Sequence, residues 1–245
     1  MISLINLPGR FGNIFFRSIG FHFICQKYGI NVNYCDESKI NRMGIELYNG
    51  TRDFNPNYPT IEISDSNFMD IINNEYINYN FSLKFHTYFQ TKEFVLKLYD
   101  YFHNTPAIKN KIIDANIFRD RMDNNDDVFI HVRLGDVPQL NPGYDYYDKL
   151  LSTTTFTNGY ISSDTINSEI CYRLINKYNL KVMEKDEIET MMYANTCKYL
   201  ILSQGTFSWM MGLFAYNADK IYYPKIKTQW HGDIFVFPGL TEVDY

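Results

Sequence analysis

The chain has 245 residues, 45% of them hydrophobic and 21% charged, an ordinary globular balance with enough apolar material for one large core or two small ones. A net charge of −5 argues against nucleic acid as a partner, because phosphate backbones are met by a basic footprint. Four cysteines (Cys25, Cys35, Cys171 and Cys197) show neither a C-x-x-C pair nor metal-like spacing, so free thiols in a reducing compartment are expected and no metal site. The amino terminus, M-I-S-L-I-N-L-P-G, has no basic n-region and no adequate apolar run, and no stretch of about 18 apolar residues occurs. A soluble, cytoplasmic protein without a membrane span is the expectation. The aromatic content of 17% accompanies many Asn, Ile and Lys and reads as a compositional bias more than a functional signal.

In chain order, Ile2 to Leu7 forms a plausible first strand, stopped by Pro8 and Gly9. The loop G-R-F-G-N (Gly9–Asn13) leads into an apolar helix from Ile14 to Tyr28, ended by Gly29, and a strand follows over Asn31–Cys35. A glycine loop between strand and helix offers backbone N–H groups at the positive end of a helix dipole. Two glycines are too few for a dinucleotide fingerprint, and a tight turn explains them equally well. Residues 36–90 are rich in Asn and Asp, with short strand candidates at Thr60–Ile63 and Tyr79–Leu83. Helical periodicity returns over Thr91–Phe102 and Ile108–Met122. Asn104, Thr105 and Pro106 break the pattern, which sets the expected domains at 1–105 and 106–245.

The clearest stretch is V-F-I-H-V-R-L-G-D, Val128 to Asp136. It reads as a buried strand, Val128–Arg133, whose end delivers His131, Arg133 and Asp136 to a ligand-binding edge. Period-2 alternation places His131 and Arg133 on one face, with Val132 and Leu134 on the other. A forked, permanently charged guanidinium suits phosphate oxygens, although an Arg–Asp pair closing a loop fits the same residues. Alternation then continues: helix Tyr146–Thr155, strand Tyr160–Ser162, helix Thr165–Tyr178, strand Leu180–Met183, helix Ile188–Ala194, strand Tyr199–Ser203, helix Phe207–Ala215 and a last strand, Ile221–Tyr223. That pattern implies an α/β fold with a parallel, doubly wound sheet. Polar residues gather at three expected strand ends: Arg133 and Asp136, Ser163 and Asp164, and Gln204 to Thr206. Thr206 could cap its helix or share the helix N-terminus with an anion, and Asp164 could N-cap a helix starting at Thr165 or hold a nucleoside.

These residues resemble a family. H-V-R-L-G-D (His131–Asp136) is similar to the H-x-R-R-x-D motif of α-1,2-fucosyltransferases and the related α-1,6- and protein O-fucosyltransferases. G-R-F-G-N resembles their amino-terminal loop, and C-K-Y-L-I-L-S-Q-G-T-F-S-W-M-M-G (Cys197–Gly212) resembles their C-K-x-x-I-x-x-S-S-F-S-W-W-G. K-I-Y-Y-P-K (Lys220–Lys225) and the S-S-D before a helix also fit, in the family's order, while residues 40–120 have no counterpart.

The resemblance implies a GT-B-like architecture of two Rossmann-like lobes with parallel sheets, the amino-terminal lobe reduced. It implies an inverting, metal-independent glycosyltransferase moving L-fucose from GDP-fucose to a glycan hydroxyl, with no cofactor beyond that donor. Arg133 would neutralise the departing GDP, with Gly205, Thr206, Phe207 and Ser208 around the phosphates and Asp164 at the nucleoside. Arg10, Gly12 and Asn13 would face the donor sugar from the opposite lobe, near the acceptor, and His131 or Asp136 would be the candidate base. Leu134 stands where the family has a second Arg, Gly205-Thr206 where it has two serines, and Met210 where it has a second Trp. Those departures keep open another GDP-sugar donor, or a nucleotide- or carbohydrate-binding module without turnover.

Overall fold

A computed structural model describes residues 2–4, 8–123, 125–225 and 234–245. They divide into two compact units, Met1–Ile112 and Ile113–Tyr245. In the first, β1 (Ile2–Ser3) leads to α1 (Phe11–Tyr28) and β2 (Val32–Asn33), which pairs parallel with β1. Residues 5–7 of the expected first strand lie outside the described residues. Helix α1 begins three residues earlier than expected and takes Phe11, Gly12 and Asn13 into its first turn, because the Arg10 carbonyl accepts from Asn13 and Ile14 N–H (2.9 and 3.2 Å). Gly29 ends it in the left-handed region, φ 67°, where a side chain is disfavoured. Next come α2 (Glu37–Arg42), β3 (Thr60–Ile63), α3 (Phe68–Asn73), β4 (Asn80–Leu83), α4 (Lys92–His103) and α5 (Pro106–Ala115), with β3 and β4 again a parallel pair.

The core of this unit is aromatic. Helix α1 buries Phe15, Phe16, Ile19, Phe21 and Ile24 completely, so it is wrapped all round. Its rings meet Phe102, Phe94 and Phe89 at centroid distances of 6.1, 6.4 and 5.8 Å, and Phe68 stands 4.5 Å from Phe89. The Phe-rich composition is therefore used in packing.

The second unit opens with the end of α5. The expected helix to Met122 stops at Ala115 because Asn116 turns its side chain to the Phe118 N–H (2.9 Å) and the Met192 carbonyl (2.8 Å), leaving only a 3-10 turn at Arg119–Arg121. Then follow β5 (Val128–Val132), α6 (Tyr144–Thr153), β6 (Gly159–Ser163), α7 (Glu169–Tyr178), β7 (Lys181–Val182), α8 (Glu187–Ala194), β8 (Tyr199–Ile201), α9 (Thr206–Leu213), β9 (Lys220–Pro224) and β10 (Leu240–Val243). Ile221–Tyr223 is thus not the last strand. Short, half-exposed β10 pairs beside β9 and carries only a weak signal of its own.

All strand pairs of this six-stranded sheet are parallel, in the order β10-β9-β8-β5-β6-β7. Counted within the unit, the chain starts at β5, winds outward through β6 and β7, then returns to β8 and winds the other way. That is the doubly wound, Rossmann-like order, with its topological switch between β5 and β8. Val128, Ile130, Val132, Ile161 and Ile201 bury one face together with Tyr146, Tyr147 and Leu150 of α6 and Leu174 of α7. Tyr160 and His131, of opposite parity, meet Tyr193 of α8 and Phe207 and Ser208 of α9 on the other. Among the described residues no helix is long and apolar enough to cross a membrane.

Candidate functional site

Strand β5 lies between β8 and β6, and His131 stands in register with Ser162. The three polar strand ends therefore arrive side by side at the carboxyl edge, around the switch point where open α/β sheets bind ligands. Strand alternation holds as expected: Val132 faces the α6–α7 cluster, Leu134 packs against it, and His131 looks to α9.

Arg133 is the centre of this edge. Its Nη2 donates to both oxygens of Asp136 (3.2 and 3.1 Å), and its Nε reaches Oδ1 at 3.4 Å. The side chain is 14% exposed while Asp136 is 42% exposed, so the pair sits at the surface with the guanidinium turned inward. Nη1 lies against Gly205, where any Cβ would collide with it. Gly205 has φ 107° and ψ 164°, a backbone state essentially reserved for glycine. The conformation demands glycine here, and a side chain would also displace the tip of the arginine above it.

Gly205 is also the N-cap of α9. It has no side chain to cap with, and the first turn holds no acidic residue. In the same unit Ser168 caps α7 and Asp186 caps α8 through their side chains. Thr206 is the first helical residue and does not occupy the capping position. The start of α9 therefore combines the positive end of a helix dipole with an adjacent guanidinium, a setting suited to an anion.

The loop between Arg133 and Asp136 is held by its neighbours. Oδ1 of Asp164 accepts from Leu134 N–H (2.9 Å) and Gly135 N–H (3.0 Å), and Asn141 Nδ2 donates to the Arg133 carbonyl (2.9 Å). Asp164 does not cap a helix at Thr165: α7 starts at Glu169, after a turn, with Ser168 accepting from Cys171 N–H (3.3 Å). His131 is 6% exposed, its Nδ1 2.5 Å from Ser208 Oγ and its ring edge-on to Phe207 at 5.4 Å. Ser208 is fully buried, so its hydroxyl serves His131, while Phe207 stays half-buried beside it. Trp209, Met191, Met192, Met210 and Met211 are core.

Arg10, Gly12 and Asn13 belong to the first unit. Arg10 is the N-cap of α1 and gives no side-chain cap bond, Gly12 is buried in the first turn, and Asn13 is half-buried. Gly9, φ 124°, faces the Asn13 side chain at 2.7 Å from a would-be Cβ, so a larger residue there would push Asn13 away. Two residues without a motif signal support this turn. Gln90 Nε2 donates to Asn13 Oδ1 (2.8 Å), and buried Arg17 donates to the Pro8 carbonyl (2.6 Å) and the Thr87 carbonyl (2.8 Å) while stacking on Tyr88. A charged residue inside an apolar helix was the one sequence cue to Arg17; Gln90, 77 positions from Asn13, had none.

A polar pocket of about 470 Å³ opens at the opposite, amino edge of the second unit's sheet, lined by Arg121, Asp127, Asn158 and Lys198 among others. Asp127 there is satisfied by Arg121 (2.7 Å) and by the backbone and side-chain N–H of Asn158 (3.2 and 2.9 Å), an ion-pair lattice that closes the strand starts. The four cysteines are free, and burial pushes the Cys25 thiol up to about 11 and Cys197 up to about 12. Comparison with family models, curated proteins and solved structures finds no match for this chain.

Proposed function

We propose that the unit Ile113–Tyr245 binds the pyrophosphate of a nucleotide sugar and that the chain is an inverting, metal-independent glycosyltransferase of fucosyltransferase type, using GDP-fucose or a related GDP-sugar and a glycan acceptor. The observation that carries this is the Arg133 guanidinium lying over Gly205 at the uncapped start of α9, in the switch crevice of a doubly wound sheet. The resemblance rests on the motif residues alone. In this reading the chain is a reduced GT-B enzyme whose first unit offers Arg10, Gly12 and Asn13 to the donor sugar and the acceptor.

Arg133 and the first amides of α9 would stabilise negative charge as it builds on the departing GDP, an electrostatic contribution aimed at the transition state. His131, buried against Ser208, holds the start of α9 from beneath. Leaving-group stabilisation is therefore assigned the larger share of catalysis. A second reading, a nucleotide-binding module without turnover, draws on Leu134, whose side chain joins the apolar cluster and supplies no second cation.

Calorimetry with GDP and GDP-fucose, without added metal, tests the reading. Arg133→Ala should weaken binding by about 1.5–3 kcal/mol, roughly 10- to 150-fold. No binding of either ligand by the wild type overturns the proposal. Binding without transfer of fucose to any glycan in an acceptor screen selects the second reading.

A further inference from the structure

The charge arrangement around Arg133 assigns Asp136 a different task from that of a base. Its carboxylate engages the Nε–Nη2 side of the guanidinium, by three contacts of 3.1–3.4 Å, and Nη1 is packed against Gly205, in the space that a Cβ there would fill. A guanidinium is planar, so contacts on two of its sides fix both its position and its plane. The loop carrying both residues is itself pinned through Leu134 and Gly135 N–H to Asp164, and through the Arg133 carbonyl to Asn141. We propose that Asp136 is a positioning residue that acts through Arg133, holding the guanidinium so that it presents its outer Nη edge to a diphosphate at the start of α9. This inference rests on the nucleotide-sugar reading.

The proposal has a sign that simple electrostatics does not share. A carboxylate next to a diphosphate site repels it, so removing the charge should tighten binding if Asp136 acts only as a nearby anion or as a base. If it positions Arg133, removing it weakens binding, because the arginine must then be ordered at the moment the ligand arrives. The test measures GDP affinity by calorimetry at fixed salt for wild type, Asp136→Asn, Arg133→Ala and the double variant. It also records the Nε–H resonance of Arg133 by NMR, assigned by its loss in Arg133→Ala.

Asp136→Asn should weaken GDP binding roughly tenfold, as expected for loss of a charge-assisted pair. In the Arg133→Ala background the same change should have no effect or tighten binding slightly. The Nε–H signal of the ligand-free protein should be slow to exchange in the wild type and broadened away in Asp136→Asn. Tighter GDP binding by Asp136→Asn overturns the proposal, and so does an equal loss in the Arg133→Ala background, which would mean that Asp136 does not act through the arginine. If wild type binds no GDP, the nucleotide reading fails; the Nε–H signal then decides the positioning role alone, and its persistence in Asp136→Asn overturns that too.

Discussion

His22 shows what burial does to one ionisable side chain. Its Nδ1 accepts from the Tyr48 N–H at 2.9 Å and its Nε2 lies 3.0 Å from Tyr101 Oη, so the ring is satisfied as a neutral imidazole. Desolvation lowers its pKa from 6.5 to about 4. Above about pH 6.5 neither the folded nor the unfolded chain is protonated here, and nothing is lost. Between there and about pH 4 the unfolded chain takes up a proton that the folded chain refuses, and below about 4 the loss is complete. The shift corresponds to roughly 3 kcal/mol. Urea unfolding of wild type should therefore lose stability over pH 6.5 to 4 more steeply than His22→Gln, whose amide oxygen can still accept from Tyr48; parallel pH profiles would refute the assignment. The contrast with His131 is instructive. Both histidines are buried, but only His131 adjoins the strand-end edge, and its motif position rather than its residue type marked it out.

Among the elements, α1 and α9 carry the packing and the site respectively. Gly20 lies on the buried face of α1, and a Cβ there would run into the Phe89 ring. Phe89 cannot easily yield: it is fully buried, adopts φ 59°, and its N–H is held with that of Tyr88 by the Asp65 carboxylate (2.5 and 2.9 Å). Alanine at position 20 would gain roughly 1 kcal/mol of helix propensity, while overpacking costs roughly 1–3 kcal/mol. The collision should win. Gly20→Ala is expected to lower the urea midpoint by an amount equivalent to up to about 2 kcal/mol, the overpacking cost less the propensity gain, and a raised midpoint would show that Phe89 moves freely. Local signals located elements well where the apolar run was strong, as in the strand expected over Val128–Arg133, which stands as Val128–Val132. They failed at termini: α7 starts four residues late because Ser168, and not Asp164, meets its first amides. Caps are chosen by which side chain the fold leaves available, and Asp164 was already committed to Leu134 and Gly135.

For the chain as a whole, the division into two units means that ligand effects should be confined by unit. With GDP bound on the proposed reading, hydrogen exchange should slow over residues 133–136 and 202–208 and remain unchanged across the buried amides of α1. Equal protection in both units, or none at 133–136, would contradict a site centred on Arg133. The parallel sheet of the second unit follows from strict strand–helix alternation, and the candidate residues Arg133, Asp136, Asp164 and Gly205 were legible because each lies in a loop just beyond a strand end. The first unit was less legible. Its four strands stand where they were expected, but its small helices α2 and α3 lie in Asn- and Asp-rich sequence, where periodicity is weak and long-range aromatic contacts such as Phe68–Phe89 set the structure.

Composition, alternation and glycine placement were enough to specify the α/β class and to nominate a phosphate-suited strand end, since these depend on local backbone preference and on the period of apolar residues. They could not specify partners. That β8 rather than β7 pairs with the other side of β5, that Asp164 holds the loop, that Ser208 turns to His131 and that Gln90 reaches Asn13 are contacts between residues about 30 to 77 positions apart. Such choices follow from which surfaces the folded chain brings together and which polar groups burial leaves needing a partner.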